Sequence, residues 1–389
     1  MTAKPLTTTQ LDSLATDDAY VAICLRQGLA PVEEADAVFF PPTYADTEHG
    51  YQVNRLQDGT LIVDVDSVGS QANRMEPLFL REELRDLVPQ VTIRYQDPGQ
   101  GVARTLSLLE AGHRLGDAVI RSTELHEQAR AAFQAYLRSG SATPLAKLAP
   151  TSLLFGVWDS RDTMAKVPRL VSSTIRAWDV SLLKRSAQYT PALDYAALEV
   201  FSAADKERAE GSTKDPLAQR GFVHVPAVGT HGGVIARGPI RRDLTINLVQ
   251  LRRLSGEDPV KLRRYLLGLA LVVAVEPQDP FLRQGCILVP NEPAAWSLVR
   301  RDGGREPTVL DPDGVRSYAR STAKQFVVGE SISVTFDRER AKQDTAKKDG
   351  ESKSEGKKEG KGKGRGKKTR KEEPPTEGGE AAANEADAS

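Results

Sequence analysis

The sequence predicts an α+β fold over residues 1–337, followed by a tail of different composition. Stretches with strand features are grouped apart from stretches with helix features, whereas the two alternate regularly in a doubly wound sheet. The longest apolar run, Tyr265–Val275, has the length of a buried helix and is too short to span a bilayer. No internal repeat or boundary divides the body, so we expect one elaborated domain.

The first half of the body contains one predicted strand and two predicted helical regions. Leu11–Gln27 has an amphipathic helical pattern. Gly59–Asp66 combines a turn signal with alternating β-branched residues, which is typical of a strand, and alternation would place Asp64 and Asp66 on one face. In Arg104–Arg138, apolar residues three and four positions apart indicate a long helical region.

The second half adds a core helix at Lys261–Val275 and several strands. The predicted strands are Ser152–Trp158, Leu170–Trp178, Gly221–Val225, Leu244–Leu251 and Phe326–Phe336. Between them, Asp205–Gly233 is polar and rich in glycine and charged residues. A loop of this length inside a compact body is usually functional or mobile.

Cysteine usage predicts a cytoplasmic protein without a disulfide framework. Cys24 and Cys286 are the two cysteines, far apart and in no metal-ligand spacing, and free thiols persist in reducing compartments. The polar, threonine-rich N-terminus does not resemble a signal peptide. We therefore expect two buried thiols and a cytoplasmic location.

The formal net charge of zero combines two different regions. Residues 338–371 contain 15 Lys and Arg against 6 Asp and Glu, and residues 372–389 contain 6 acidic residues and no basic ones. With so few apolar residues, a tail over 338–389 cannot offset chain entropy, so we predict a disordered, basic-then-acidic segment. It would either bind polyanions non-specifically or serve as a solubilising terminus.

The segment after the first predicted strand is the first candidate binding site. A glycine-containing turn entering a helix presents backbone N–H groups and a positive dipole end, which suit a phosphate oxygen. The segment matches neither the Walker nor the dinucleotide pattern, and an ordinary helix cap at Ser67 is the alternative interpretation. The candidate RNA-binding residues here are Ser67, Gly69, Ser70, Gln71, Asn73 and Arg74.

A second candidate cluster comprises His113, Arg114, Asp117 and Arg121. On a helix, His113, Asp117 and Arg121 would share a face at four-residue spacing. The cluster could bind phosphate, form a surface row of salt bridges, or use His113 as a base oriented by Asp117.

The third candidate segment, Ser152–Asp179, contains cations and aromatic residues. A single-stranded nucleic acid needs cations for its phosphates and aromatic rings for its bases. Trp158 and Trp178 would supply the rings, although core tryptophans are the alternative. The candidate RNA-binding cations are Arg161, Lys166 and Arg169.

Patterns of catalysis and metal binding are weak in this sequence. It contains no HExxH, Gly-x-Ser-x-Gly or paired-histidine motif, and we predict no enzyme activity, metal or cofactor. The alternative is a metal-dependent nuclease that uses Asp64, Asp66 and His113, since carboxylates on a strand can ligate a divalent ion.

Three segments together resemble a known family. DVDSVGSQANRMEP, EAGHRLGDAVIRS and SLLFGVWDS…AKVPRLVSSTIRAWD are similar to the backbone subunit of the type I-G (formerly I-U) Cascade effector, a member of the repeat-associated mysterious protein superfamily. The resemblance implies an RRM-like (ferredoxin-like) palm with helical and hairpin insertions. By position, Asp205–Gly233 would contain the thumb-like hairpin.

The same resemblance implies function and partners. Such subunits bind CRISPR guide RNA along its sugar–phosphate backbone, oligomerise head to tail and assemble with other Cascade subunits. They present the guide for pairing with target DNA in antiviral defence, so pairing reads the sequence, and a separate nuclease cuts. A third hypothesis is a general RNA-binding protein whose basic tail does most of the binding.

Overall fold

The computed structural model describes residues 5–44, 50–97, 99 and 101–355. The described strands are β1 (Tyr20–Pro31), β2 (Val53–Arg55), β3 (Leu61–Asp66), β4 (Val91–Gln96), β5 (Ala103–Ser107), β6 (Val157–Trp158), β7 (Lys166–Val167), β8 (Val171–Trp178), β9 (Val180–Tyr189), β10 (Val225–Ala236), β11 (Ile240–Asn247), β12 (Phe281–Arg283), β13 (Cys286–Pro290), β14 (Ala295–Arg300), β15 (Arg305–Thr308) and β16 (Ile332–Thr335).

Helices lie between and after these strands. The α-helices are α1 (Thr8–Leu14), α2 (Val68–Met75), α3 (Ala118–Arg121), α4 (His126–Ser139), α5 (Thr143–Leu148), α6 (Thr151–Phe155), α7 (Ala203–Ala209), α8 (Pro216–Gln219), α9 (Leu248–Arg253), α10 (Pro259–Val275), α11 (Pro312–Phe326) and α12 (Arg338–Glu355). Short 3-10 helices lie at Glu76–Leu80, Arg85–Leu87, Leu108–Glu110 and Arg114–Gly116. The predicted α+β class is confirmed.

A curled antiparallel sheet forms the centre of the body. Its strand order is β12-β13-β1-β11-β8-β3-β2, with β14 also paired to β1 and β15 paired to β14. Strands β11 and β14 are both antiparallel to β1 and so parallel to each other. The chain between them runs through α10, so β1 is inserted into a split β-α-β connection.

One face of this sheet is buried and the other is partly exposed. Residues of β8 and β11 alternate between buried and more accessible positions, as expected for strands with one face on a core. Leu244 and Ile246 of β11 join the main apolar cluster with the apolar residues of α10. Strands β8 and β11 therefore each present every second side chain on the open face of the sheet, the face away from α10.

Helix α10 confirms the predicted core helix. Eleven of its residues are buried, and the Tyr265 ring stacks on Phe326 of α11 at 4.6 Å between centroids. At Gly268, a Cβ would lie 2.8 Å from the Thr322 hydroxyl and 3.0 Å from Ala319 Cα. Glycine therefore permits the close approach of α10 and α11.

The N-terminal prediction was wrong over most of its length. Only Thr8–Leu14 is helical, and Tyr20–Pro31 is the strand β1. Because β1 pairs with β11 on one side and with β13 and β14 on the other, long-range pairing overrides the local helical pattern.

Other local predictions were also wrong, among them the strand Gly221–Val225, which joins β10 only at Val225. The region Arg104–Arg138 begins as strand β5 and forms a long continuous helix only in α4. The predicted strand Ser152–Trp158 is mostly helix α6. By contrast, the strands predicted at Gly59–Asp66 and Leu170–Trp178 are β3 and β8.

The insertion predicted at Asp205–Gly233 is larger and more regular than expected. Strands β9 and β10 pair as a hairpin that spans residues 180–236. Its distal part contains α7 and α8, which are capped by Ser202 and Asp215. A small apolar cluster of Ala209, Ala218 and Val223 holds this part together.

The tail predicted to be disordered from Arg338 onward begins with a helix, and most of it is not described. Residues Arg338–Glu355 form helix α12, and residues 356–389 lie outside the described residues. The Asp337 carboxylate accepts hydrogen bonds from the N–H groups of Glu339 and Arg340. The composition is rich in helix-forming Lys, Arg, Ala and Glu, so capping and propensity form a helix where apolar content alone predicts none.

Within the described ranges, no helix combines the length and apolarity needed to cross a membrane.

Candidate nucleic-acid interface

The open face of the central sheet carries a row of polar side chains that extends over several strands. Gly28 of β1 lies opposite Arg241 of β11, which lies opposite Arg176 of β8, which lies opposite Asp64 of β3. A second row joins Arg26, Asp243 and Thr174. These side chains share a face because their strands are in register and alternate.

Cations on this face are held by carboxylates but stay accessible. The Arg176 Nε lies 2.7 Å from Asp64 Oδ1, with 42% of the Arg176 side chain exposed. Arg241 Nε lies 2.8 Å from Asp243, and Arg26, 69% exposed, lies 3.6 Å from the same carboxylate. Glu292 also lies over this face, with its Oε2 3.4 Å from where a Cβ at Gly28 would be, so three guanidinium groups stand against three carboxylates and the face offers accessible cations without a net charge excess.

An aromatic ring accompanies these cations. The Arg241 guanidinium lies over the Trp178 ring, 4.2 Å from its centroid, and Trp178 is half-buried at the end of β8. Stacking of this kind fixes a planar cation beside an indole. The geometry suits a single-stranded nucleic acid, whose phosphates pair with guanidinium groups and whose bases stack on rings.

The sequence prediction recognised only part of this face. Trp178 was identified as a candidate stacking residue, but Arg26, Arg176 and Arg241 were not among the candidate RNA-binding residues. The available signal was alternation: Arg241, Asp243 and Thr245 occupy every second position of β11. Which strands are neighbours, and hence that the rows combine, depends on the tertiary fold.

The turn predicted to bind phosphate, at the start of α2, is organised around the Asp66 carboxylate. Ser67 is the N-cap of α2, and its side chain accepts a hydrogen bond from the Ser70 N–H at 3.2 Å. The Asp66 carboxylate accepts hydrogen bonds from the Ser70 hydroxyl at 2.5 Å, Gln71 Nε2 at 2.6 Å and Arg74 Nε at 3.0 Å. Ser70, Gln71 and Arg74 therefore donate to a buried carboxylate. Asn73 is exposed and Gly69 is half-buried.

The prediction that Asp64 and Asp66 share one face was wrong. Asp64 lies opposite Arg176, and Asp66 lies opposite Ile175, the adjacent residue of β8. Val65 and Asp66 of β3 therefore occupy the length of one residue in β8. Such a bulge turns the next side chain to the opposite side. Asp66 is therefore 3% exposed on the core side, while Asp64 lies on the open face.

Arg114 connects the three motifs but is itself buried. Its Nε lies 2.8 Å from a Glu76 carboxylate oxygen, Nη1 donates to the Gly156 carbonyl at 3.2 Å, and Nη2 donates to Asn73 Oδ1 at 3.3 Å. The three motifs of the sequence thus meet at one guanidinium group. Arg114, predicted as an RNA-binding residue, is 7% exposed and holds these three segments together from the inside.

The helical face predicted for His113, Asp117 and Arg121 does not exist. His113 precedes a 3-10 turn and is exposed, and Asp117 caps α3 by accepting the Val119 N–H. Arg121 points elsewhere: its Nε lies 3.0 Å from Asp344 of α12, and Nη1 donates to the Gly116 carbonyl. The two glycines of this segment favour turns over a continuous helix.

The β6–β7 hairpin presents an aromatic residue beside a cation, as predicted for the third segment. Trp158 is 49% exposed, and Lys166 Nζ lies 5.7 Å from its ring centroid. Arg161 in the connecting loop is exposed. Arg169 differs from them, because its Nε donates to the Phe155 carbonyl at 3.0 Å.

A polar pocket at the base of the β9–β10 hairpin was not anticipated. It has a volume of about 570 Å³. Its lining includes Arg185, His231, Arg283 and Tyr51, and Arg283 Nη1 is buried with no hydrogen-bond partner among the described residues. Cations with adjacent rings form a second polar, cationic surface on the molecule.

The residues of the alternative nuclease hypothesis do not assemble. Asp64 pairs with Arg176, Asp66 is enclosed by its three donors, and His113 lies in a separate turn. Over the part of the chain that the structure describes, no group of three or more His, Cys, Asp or Glu side chains could hold a metal ion.

The open face is a sheet surface that presents cations and an aromatic ring, an arrangement that suits a polyanion. Comparison with known families gives a more specific result: residues 23–182, less than half of the 389-residue chain, match the family model described as CRISPR-associated protein GSU0053. The match runs from β1 to the start of β9 and contains all three motifs, and it supports a CRISPR-associated protein. No curated protein matches the chain.

Proposed function

We propose that this chain is a non-catalytic, guide-RNA-binding backbone subunit of a type I-G Cascade effector. The observation that carries the proposal is the open sheet face with Arg26, Arg176, Arg241 and Trp178. The family match and the resemblance of the three motifs support its placement in a CRISPR complex, and we place that complex in the cytoplasm. The split β-α-β connection through α10 agrees with an RRM-like palm.

The sugar–phosphate backbone of the guide runs across this face. Guanidinium groups bind phosphate oxygens of any sequence, so affinity does not depend on the bases. The carboxylates of Asp64 and Asp243 hold two of these cations in position. The bases stay free to pair with target DNA, which leaves sequence recognition to the RNA.

Copies of the subunit associate head to tail along one guide. Such contacts are heterologous and form an open filament whose length the bound RNA sets. The β9–β10 hairpin is the thumb-like insertion of this assembly. Its length and its exposed apolar residues, among them Leu193, Leu198 and Val200, support an extended contact outside the body.

The open face is tested by a double substitution with a matched control. Arg176→Ala/Arg241→Ala should weaken binding of single-stranded RNA for all sequences alike. Its salt dependence should become shallower by about 0.7 in log–log slope for each phosphate that the variant no longer binds. Arg138→Ala/Arg253→Ala removes the same charge from exposed positions elsewhere and should keep wild-type binding. Filter binding of labelled RNA at several salt concentrations measures both.

Equal RNA binding by the two double variants would refute the open-face site. A purified chain that retains no RNA but cleaves it with Mg²⁺ would instead establish the nuclease alternative. The absorbance ratio at 260 and 280 nm after co-expression with a guide RNA separates these outcomes.

A further inference from the structure

A cleft on the core side of the sheet contains a buried cation that has no counter-ion among the residues that the structure describes. The cleft has a volume of about 490 Å³, within the range of about 300–1,000 Å³ of small-molecule sites. It lies between the ends of β1 and β13, helix α2 and the segment after α10. The opposite, open face of the sheet carries the proposed RNA site, so the two are separate surfaces.

Arg242 lies at the base of this cleft and is 5% exposed. Its Nε donates to Ser173 Oγ at 3.1 Å, and Nη2 approaches Met75 Sδ at 3.7 Å. Among the described residues, no carboxylate oxygen lies within ion-pair distance of the guanidinium, although other buried arginines such as Arg114 are paired. Burial lowers the pKa of Arg242 to about 10, which still leaves the group charged at neutral pH.

The carboxylates in and beside the cleft already have other partners. Asp66, which is bonded to the lining residues Gln71 and Arg74, also accepts a hydrogen bond from Ser70. In the cleft wall, Glu276 lies 2.6 Å from Arg316 and 3.6 Å from Arg81, and the exposed Asp279 accepts the Phe281 N–H at 2.9 Å. A buried cation without a paired anion is costly, so the missing charge is expected from outside the chain.

The walls determine what kind of anion fits. Most of the lining is apolar, and it includes Ile175, Leu282, Leu288, Trp296 and Leu310. A hydrated inorganic anion gains nothing from such walls, whereas a hydrocarbon body buries its surface there. An arginine fork binds a carboxylate through parallel hydrogen bonds.

We infer that this cleft is a binding site for a small carboxylate with an apolar body, and that Arg242 binds the carboxylate. Ser173 positions the guanidinium by accepting from Nε, and one N–H of Nη2 approaches Met75 Sδ. Nη1 and the second N–H of Nη2 are left for the ligand. This inference goes beyond RNA binding and does not depend on it.

The test uses the full chain and sodium octanoate, with octanamide as the uncharged probe of equal length. Isothermal titration should show saturable one-to-one binding of octanoate, with octanamide at least about tenfold weaker because it cannot form the charged hydrogen-bonded pair. Inorganic phosphate should not compete. Arg242→Met should lose at least about tenfold in octanoate affinity, whereas Arg138→Met, a matched exposed change, should bind as the wild type does.

A second variant covers the case in which Arg242→Met does not fold. Ala294 is exposed at the cleft lining, so Ala294→Trp should block octanoate entry without altering the buried network. RNA binding by both variants should stay at the wild-type level. The inference fails if the wild type shows no saturable octanoate binding, if octanamide binds equally well, or if either folded variant keeps full affinity.

Discussion

At the residue scale, several polar side chains of the three motif segments are structural and face inward. Asp66 accepts hydrogen bonds from Ser70, Gln71 and Arg74. The Arg114 guanidinium contacts Glu76, the Gly156 carbonyl and Asn73. Since buried polar groups must be hydrogen-bonded, these interactions fix the positions of α2 and the neighbouring turns. Accessible cations lie instead on the strands of the central sheet and in the β6–β7 hairpin.

Replacing Arg114 tests this internal role. Arg114→Ala removes the ionic partner of the buried Glu76 and should lower the free energy of unfolding by about 3–5 kcal/mol. Arg161→Ala, in the exposed β6–β7 loop, should change it by no more than about 0.5 kcal/mol. Chemical denaturation measures the free energy of unfolding of both variants. Similar stability of the two variants would contradict the internal structural role of Arg114.

Glu76 should also make stability depend on pH. Burial raises the pKa of Glu76 from 4.5 to about 7, against the opposing effect of Arg114. The folded state therefore keeps a proton that the unfolded state has released between these values. Stability should fall as pH rises through this window, with a slope no steeper than about 1.4 kcal/mol per pH unit.

Glu76→Gln should flatten this dependence, because the amide does not titrate. Glu124→Gln, at an exposed position, should leave the slope of the wild type. Denaturation curves at several pH values between 4.5 and 7 provide the comparison. An unchanged slope in Glu76→Gln would assign the pH dependence to another group.

At the element scale, a segment adopts either the structure that its local sequence pattern predicts or the one that long-range strand pairing imposes. The second prevails where a strand has partners on both edges. Helix α10 follows its sequence pattern because an apolar segment of that length is buried whichever way the rest folds. Strand β1 departs from its pattern because it has partners on both edges. Helix α12 forms without an apolar face, through its cap at Asp337 and the pair of Arg121 with Asp344.

Truncation after Asp337 tests how far α12 matters to the body. Removing one partly exposed ion pair should cost about 0.2–1 kcal/mol, so the body should fold and unfold cooperatively without it. RNA binding should persist with a steep salt dependence if the open face carries it. A truncated chain that folds but no longer binds RNA would favour the hypothesis that the basic tail does most of the binding.

At the scale of the whole molecule, the sequence by itself determined the α+β class, the core helix, two central strands and three segments that belong together. These features follow from local periodicity and residue type, which act over a few residues. Only the tertiary structure decided that Arg26, Arg176 and Arg241 form one face, that Asp66 and Arg114 are buried, and that Arg242 lies in a cleft. Strand order, a one-residue bulge and burial depend on interactions between distant parts of the chain, and no local pattern encodes them.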